Sequence, residues 1–399
     1  AAALLPLALA ALGRAAEPDE GRLTPELVRA RGYPLEAHQV RTSDGYLLTA
    51  FRIPHGLAES GRRAVRRPPV LLQHALLCSS EEFVNNGPNQ SLAYLLADAG
   101  FDVWLGNNRG GTWGRNHTSL AVDSDEFWDF SWDEMALFDL PAHVDHVLKT
   151  TGFPSLSYVG HSEGTIQAFA GFSWSAELAA KIDLFVAMAP VAYVYHQSSP
   201  AYLAFAELQA QLAELTRFFG FREFLPSGSV LNKISPTLCH LLPEGCNVAI
   251  FLFCGTTNHI NATRLPVYLS ETPAGTSVKN MEHWSQQARH KSFGMYDYGS
   301  PSKNRAKYNQ STPPAYDLSR MTVRTALFTG GHDILADPTD VKQLLSELPA
   351  SSLVYHHHTA SYAHLDFAWG EDANVFVYAD VVKQLRLYSG APPQEVVVV

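Results

Sequence analysis

The sequence predicts an α/β fold: a mostly parallel central sheet with helices on both faces and a cap inserted over the carboxyl ends of its strands. Two observations predict it. Short apolar, β-rich runs alternate with longer runs whose apolar residues recur every three or four positions, across residues 70–188 and again across 325–387. A glycine-flanked serine, Gly160-His161-Ser162-Glu163-Gly164, stands where one short run gives way to a helical one. Strands buried on both faces read as unbroken hydrophobic runs, and the helices that cross between them cover the sheet.

Residues 35–53 read as two strands joined by Ser43-Asp44-Gly45, a hairpin at the sheet edge. Val70–His74 is a buried strand, Asn89–Ala99 a helix with Leu92, Leu95 and Leu96 on one face, and Phe101–Leu105 the next strand. Asp133–Lys149 is a helix with Met135, Phe138, Leu140, Val144 and Val147 at helical spacing. The strand Leu156–Val159, the helix Glu163–Lys181 and the strand Leu184–Met188 complete the first half. The second half offers the strand Thr325–Phe328, the helix Pro338–Leu348, the strand Leu353–Tyr355 and a last helix, Ala373–Leu387.

Between them the alternation fails. Tyr202, Phe205, Leu208, Leu212, Leu215 and Phe219 step by three and four, so one helix face is apolar. Packing of this stripe on the core and a lid that lines an acyl-chain site are both open readings. The expected organisation is a core of residues 24–190 and 314–390, interrupted by a cap at 191–313. A signal-peptide remnant at 1–16 precedes it and a tail at 391–399 follows.

Composition narrows the function. The 399 residues are 46% hydrophobic, enough for a large core. Twenty-nine Lys and Arg against 39 Asp and Glu give a formal charge of −10, which argues against nucleic acid as a partner. The basic cluster Arg62, Arg63, Arg66 and Arg67 runs into Pro68-Pro69 and reads as an exposed loop. Ala1–Leu12 is apolar and followed by small residues, the pattern of a secretory h-region and cleavage site. That run is too short to span a bilayer as a helix, and no later segment is long and apolar enough to do so. Sequons at Asn89, Asn116, Asn261 and Asn309 fit a secretory glycoprotein, lysosomal or extracellular. Cys239 and Cys246 flank a Pro-Glu-Gly turn at a spacing that permits pairing, and Cys254 ends an apolar run as a candidate buried thiol.

The chemistry starts at Ser162. A G-x-S-x-G segment between strand and helix is the context of a nucleophile elbow. Side chains at 160 and 164 would clash with the neighbouring strand and helix, and the helix start places partial positive charge beside a developing oxyanion. A serine nucleophile needs a base, and the base an orienting acid, in the chain order Ser, Asp or Glu, His. Asp333 follows the strand at 325–328. Its rivals are Asp337, which precedes Pro338 and reads as an N-cap, and Asp340. His364 lies in the loop before the last helix. Its rivals His356, His357 and His358 fall in or at the end of a strand and cannot share one face. No second ligand pair stands near them, so no metal is expected. For the oxyanion, one backbone N–H comes from Glu163 and the other from the loop after the strand at 70–74, with Leu76 as the choice. His74 reads as a brace of that loop.

On these residues the chain resembles the acid lipase family of α/β-hydrolases, which includes lysosomal acid lipase and gastric lipase. The likeness runs from about Thr24 to Leu387. It takes in DGYLL at 44–48, the segment Asp98–Gly106, Asn108-Arg109-Gly110, PAGTSVKNM at 273–281, LADPTDV at 335–341 and HLDFAWG at 364–370. The resemblance implies Ser162, Asp333 and His364 as the triad, Leu76 and Glu163 as oxyanion donors, a Cys239–Cys246 disulfide with Cys254 free, and a cap between about 191 and 313. It also implies hydrolysis of triacylglycerols, cholesteryl esters or both, often at acid pH and without a cofactor. Two positions depart from the family: Ala75 stands where glycine is usual, and Glu163 where glutamine is usual. A carboxylate at 163 opposes an oxyanion if it points inward, so it must face away or be protonated.

The function expected is hydrolysis of neutral lipid esters at an oil–water or membrane interface. The alternatives are a carboxylesterase of smaller soluble esters and a catalytically silent lipid-binding homologue.

Overall fold

The computed structural model describes residues 17–59, 66–204, 207 and 222–389. The expected signal segment, Arg62 and Arg63 of the basic loop, Phe205, Leu208, Leu212, Leu215 and Phe219 of the apolar stripe, and the 391–399 tail lie outside the described residues.

Eight strands form the central sheet: β1 (Glu36–Arg41), β2 (Leu47–Ile53), β3 (Pro69–Gln73), β4 (Asp102–Gly106), β5 (Leu156–His161), β6 (Ile182–Met188), β9 (Thr325–Gly330) and β10 (Leu353–Thr359). Their order is β1-β2-β4-β3-β5-β6-β9-β10. β1 and β2 form the expected antiparallel edge hairpin, and β2 also runs antiparallel to β4. Every other pairing is parallel. β3, β4, β5 and β9 are buried along their whole length, which is why they read as continuous apolar runs. The helix Glu163–Trp174 is buried from Glu163 to Ser173, so its sequence carries no clear polar face.

Local chemistry moved several boundaries. The helix expected over 163–181 breaks at Ser175, whose extended backbone and side-chain bond to the Leu178 N–H cap a second short helix, Ala176–Ala179. The helix expected over 133–149 opens at Trp132, passes through a π turn at Met135–Asp139 and continues as Leu140–Thr151. Pro141 lacks the N–H that would close an α turn there. β10 extends to Thr359 and absorbs the three histidines. His356 and His358 both meet Thr329 Oγ1, at 3.0 and 3.1 Å, while His357 points to the other face, 3.5 Å from Asp380.

Between β6 and β9 lie the helices Val230–Leu241, Pro243–Cys254, Leu265–Glu271, Val278–Arg289 and Pro301–Tyr308. A two-stranded antiparallel sheet, β7 (Glu223–Phe224) with β8 (Thr276–Ser277), joins them. Pro243-Glu244-Gly245 is the first turn of a helix rather than a free turn, and the apolar run ending at Cys254 is helical. The Cys239–Cys246 disulfide ties the first two of these helices, and Cys254 is a half-buried free thiol. Among the described residues no helix is long and apolar enough to cross a membrane.

Candidate active site

Because β5, β6, β9 and β10 are mutually parallel, the loops after β5, β9 and β10 leave the same edge of the sheet. Ser162, Asp333 and His364 stand on those loops and converge. His364 Nε2 is 2.7 Å from Ser162 Oγ, and His364 Nδ1 is 2.9 and 3.0 Å from the two Asp333 carboxylate oxygens. Asp333 Oδ1 also accepts the N–H groups of Leu335 and Ala336, at 2.9 and 2.8 Å, which fixes the carboxylate. The three side chains are nearly sealed, with Ser162 the most open at 7% exposure. Of the rivals, Asp337 caps the helix Pro338–Glu347 and Asp340 binds His196.

The elbow is strained in the way its glycines predict. Ser162 has φ 51° and ψ −113°, a conformation costly for a residue with a Cβ. A Cβ on Gly160 would lie 2.7 Å from the Gly164 carbonyl, and one on Gly164 would lie 2.3 Å from the Gln73 carbonyl oxygen. The Ser162 N–H donates to Met188 O at 3.1 Å and holds the turn against β6.

The loop after β3 lies against the elbow. His74 braces it as a neutral imidazole: Nδ1–H donates to Ala75 O at 2.8 Å, and Nε2 accepts the Asn108 N–H at 3.2 Å. Burial holds this ring below the usual histidine range. Leu77 has φ 60° and its carbonyl accepts the Ala274 N–H. Among the described residues the Leu76 N–H has no acceptor, as a donor held for a substrate requires.

Comparison with known proteins shows the family and the fold. A family model of the α/β-hydrolase fold matches residues 68–371, and one of a partial α/β-hydrolase lipase region matches 24–87. Human gastric triacylglycerol lipase is 45% identical over 364 residues, 90% of each chain. Human lysosomal acid lipase/cholesteryl ester hydrolase is 43% identical over 378 residues, 94% of this chain and 93% of its own. The chain belongs to the lipase family of α/β-hydrolases. Among solved structures, a soluble variant of the Saccharomyces cerevisiae monoglyceride lipase superposes with a TM-score of 0.53 at 15% identity, covering 90% of this lipase and 96% of its own chain. The α/β-hydrolase GrgF from Penicillium gives 0.53 at 13%, covering 90% and 99%. These two bear on the fold.

At both departures in this lipase the residue is buried and bonded. Ala75 is buried, and its N–H donates to Glu82 Oε2 at 2.9 Å. The Glu163 side chain turns to the helix Val278–Arg289, where Oε1 accepts Asn280 Nδ2 at 2.7 Å and Trp284 Nε1 at 2.9 Å. Burial pushes this carboxyl up to about 7 against those two bonds. It therefore faces away and is also largely protonated in acid.

Several residues around the site make contacts that sequence reasoning did not assign, although some of them fall within the segments quoted above. Arg109 bridges Asp44 of the hairpin turn and Asp139 of the π turn, each at 2.7 Å, beneath the Tyr46 ring. His161, next to the nucleophile, meets the buried Glu82. The His364 N–H donates to Cys254 O at 3.2 Å and joins the base loop to the inserted helices. Among the described residues no group of three or more His, Cys, Asp or Glu could hold a metal ion. Asn89, Asn116 and Asn309 are exposed, whereas Asn261 is half-buried with its Oδ1 bonded to Thr263.

Proposed function

We propose that this lipase hydrolyses the carboxylic ester bonds of neutral lipids, triacylglycerols and cholesteryl esters, through an acyl-enzyme on Ser162. The observation that carries the reading is the bonded line from Asp333 through His364 to Ser162 Oγ. His364 Nε2 takes the serine proton as Oγ attacks the ester carbonyl. The N–H groups of Leu76 and Glu163 stabilise the tetrahedral oxyanion, and His364 returns its proton to the departing alcohol. Water, activated by the same imidazole, then releases the fatty acid. Asp333 holds the Nδ1–H tautomer and stabilises the imidazolium.

The lipid class rests on kinship and on the surface. The relatives are named for triacylglycerol and cholesteryl ester hydrolysis. Residues 191–313 act as the cap. Val230, Ile234 and Leu238 of the helix Val230–Leu241, Leu242 just after it, and Val248 and Phe253 of the helix Pro243–Cys254 are exposed, an apolar face suited to an oil–water or membrane interface. The enzyme works in the secretory pathway, lysosomal or extracellular, with sugars on Asn89, Asn116, Asn261 and Asn309.

Hydrolysis of emulsified triolein and cholesteryl oleate, against a dispersed short-chain ester, from about pH 4 to about pH 8 tests this. Faster turnover of an emulsified long-chain ester is expected. Turnover confined to the short ester would reject the lipid assignment.

A further inference from the structure

Of the buried groups that the triad and its oxyanion donors leave unused, two meet beside the nucleophile. The side chains of Glu82 and His161 are 1% and 0% exposed, and Glu82 Oε1 bonds His161 Nδ1. The other carboxyl oxygen, Glu82 Oε2, accepts the Ala75 N–H at 2.9 Å. His161 Nε2 lies 3.0 Å from the carbonyl oxygen of His364. A carbonyl only accepts, so Nε2 carries a hydrogen. One further proton then joins Nδ1 to the carboxyl, and the pair is neutral as a whole whichever partner holds it. Burial opposes charge on His161, but Glu82 outweighs it, with Asp333 acting in the same sense, so the imidazole is held above its usual range. The pair is therefore a charge-assisted bond in a site without competing water.

These contacts join three segments far apart in sequence. Ala75 precedes Leu76, His161 precedes Ser162, and the acceptor carbonyl belongs to His364 itself. Leu76, Ser162 and His364 lie in turns just beyond regular pairing, and two of those turns hold a residue at positive φ, Leu77 and Ser162. We propose that Glu82 and His161 are positioning residues that fix the oxyanion donor, the nucleophile and the base relative to one another through one bridged pair. This rests on the roles given above to Leu76, Ser162 and His364.

Two conservative variants separate reach from charge. In Glu82→Gln the amide oxygen accepts from Ala75 and the amide NH2 donates to a neutral His161, so every bond survives without the charge. Glu82→Asp keeps the charge but is shorter by one methylene, ~1.5 Å, and cannot span both partners. The readouts are kcat and KM on a dispersed short-chain ester, per Ser162 site titrated with an organophosphate, together with the unfolding midpoint. Because ~1 Å of misplacement can cost ~100-fold in rate, Glu82→Asp is expected to lose kcat by about 30-fold with KM within about threefold, and Glu82→Gln to stay within about threefold of wild type. A Glu82→Asp kcat equal to wild type overturns the proposal. So does a Glu82→Gln enzyme that is as slow as Glu82→Asp or that fails to fold, since its amide satisfies every bond. Wild-type enzyme that is not labelled at Ser162 would sink the triad reading first, whereas normal labelling with an unchanged Glu82→Asp rate sinks only the pair.

Discussion

The backbone and the side chain of Glu163 serve different surroundings. Its N–H, at the helix start, is the donor proposed above for the oxyanion, while its carboxyl lies on Asn280 and Trp284. Burial raises that carboxyl from 4.5 to about 7, so it is neutral in acid and ionised in mild alkali. Ionisation one residue from the nucleophile opposes an oxyanion, so activity should fall as pH rises through this range. Glu163→Gln should keep activity at about pH 8, and its rate relative to wild type should climb from about pH 6 upward. A pH–rate profile of both proteins checks this, and superimposable profiles would refute it. The same shift affects stability. A carboxyl raised on folding favours the folded state most below its unfolded value, and the advantage is lost as pH rises towards about 7. Above that pH Glu163→Gln should be the more stable protein, by roughly 3 kcal/mol as an order of magnitude. Gly164 offers a sharper geometric test. Its missing Cβ would sit 2.3 Å from Gln73 O, against backbone that cannot step aside. Gly164→Ala should abolish turnover or folding, read from soluble expression and short-ester hydrolysis.

At the scale of elements, the helices Val230–Leu241 and Pro243–Cys254 turn apolar residues outward although a disulfide and buried Cys239, Cys246 and Ile250 anchor their inner face. If the outer face meets lipid, charge there should weaken adsorption before it touches chemistry. The double variant Ile234→Glu, Leu238→Glu should lower the ratio of triolein-emulsion to short-ester activity by about tenfold, since each charge must be kept out of the lipid phase. An unchanged ratio would exclude this face from the interface. These same helices were the least legible part of the sequence. The strands of the core declared themselves because burial on both faces leaves unbroken runs such as Val70-Leu71-Leu72. Ala249–Phe253 gives a similar run in a helix, which periodicity alone cannot distinguish from a strand. The break at Ser175 and the π turn before Pro141 depend on single capping and proline effects that a periodic pattern does not register. At the site, Ser162 was legible through its glycines, and Asp333 and His364 through their place after strands. Glu82 and His161 were not: 79 residues separate them, and only the folded chain brings them together.

For the molecule as a whole, buried titratable groups set opposing slopes of stability with pH. Burial, with Glu134 beside it, raises Asp133; burial, with Glu81 nearby, raises Glu271; and burial, with a smaller push from Asp372, lifts Asp366 to about 6. With Glu163, these carboxyls bind protons on folding, so their contribution is greatest in acid and lost as pH rises. Buried His143 and His283 are lowered to about 4 and about 3, so their neutral folded forms lose stability as pH falls below the usual histidine range. The two sets offset each other in weak acid, and the carboxyls dominate above about pH 6.5. The unfolding midpoint should therefore be highest near about pH 5 to 6 and fall by several degrees towards about pH 8. Thermal scans across that range would contradict this by a midpoint that keeps rising to about pH 8. The parallel sheet delivers three loops to one edge, and on the proposed mechanism this convergence makes Ser162 a nucleophile. Organophosphate labelling followed by mass mapping, with turnover of Ser162→Ala beside it, tests that most directly. The label should fall on Ser162, and the alanine variant should fold normally while losing about ten-thousandfold or more in kcat. A label elsewhere, or wild-type turnover in Ser162→Ala, would contradict it.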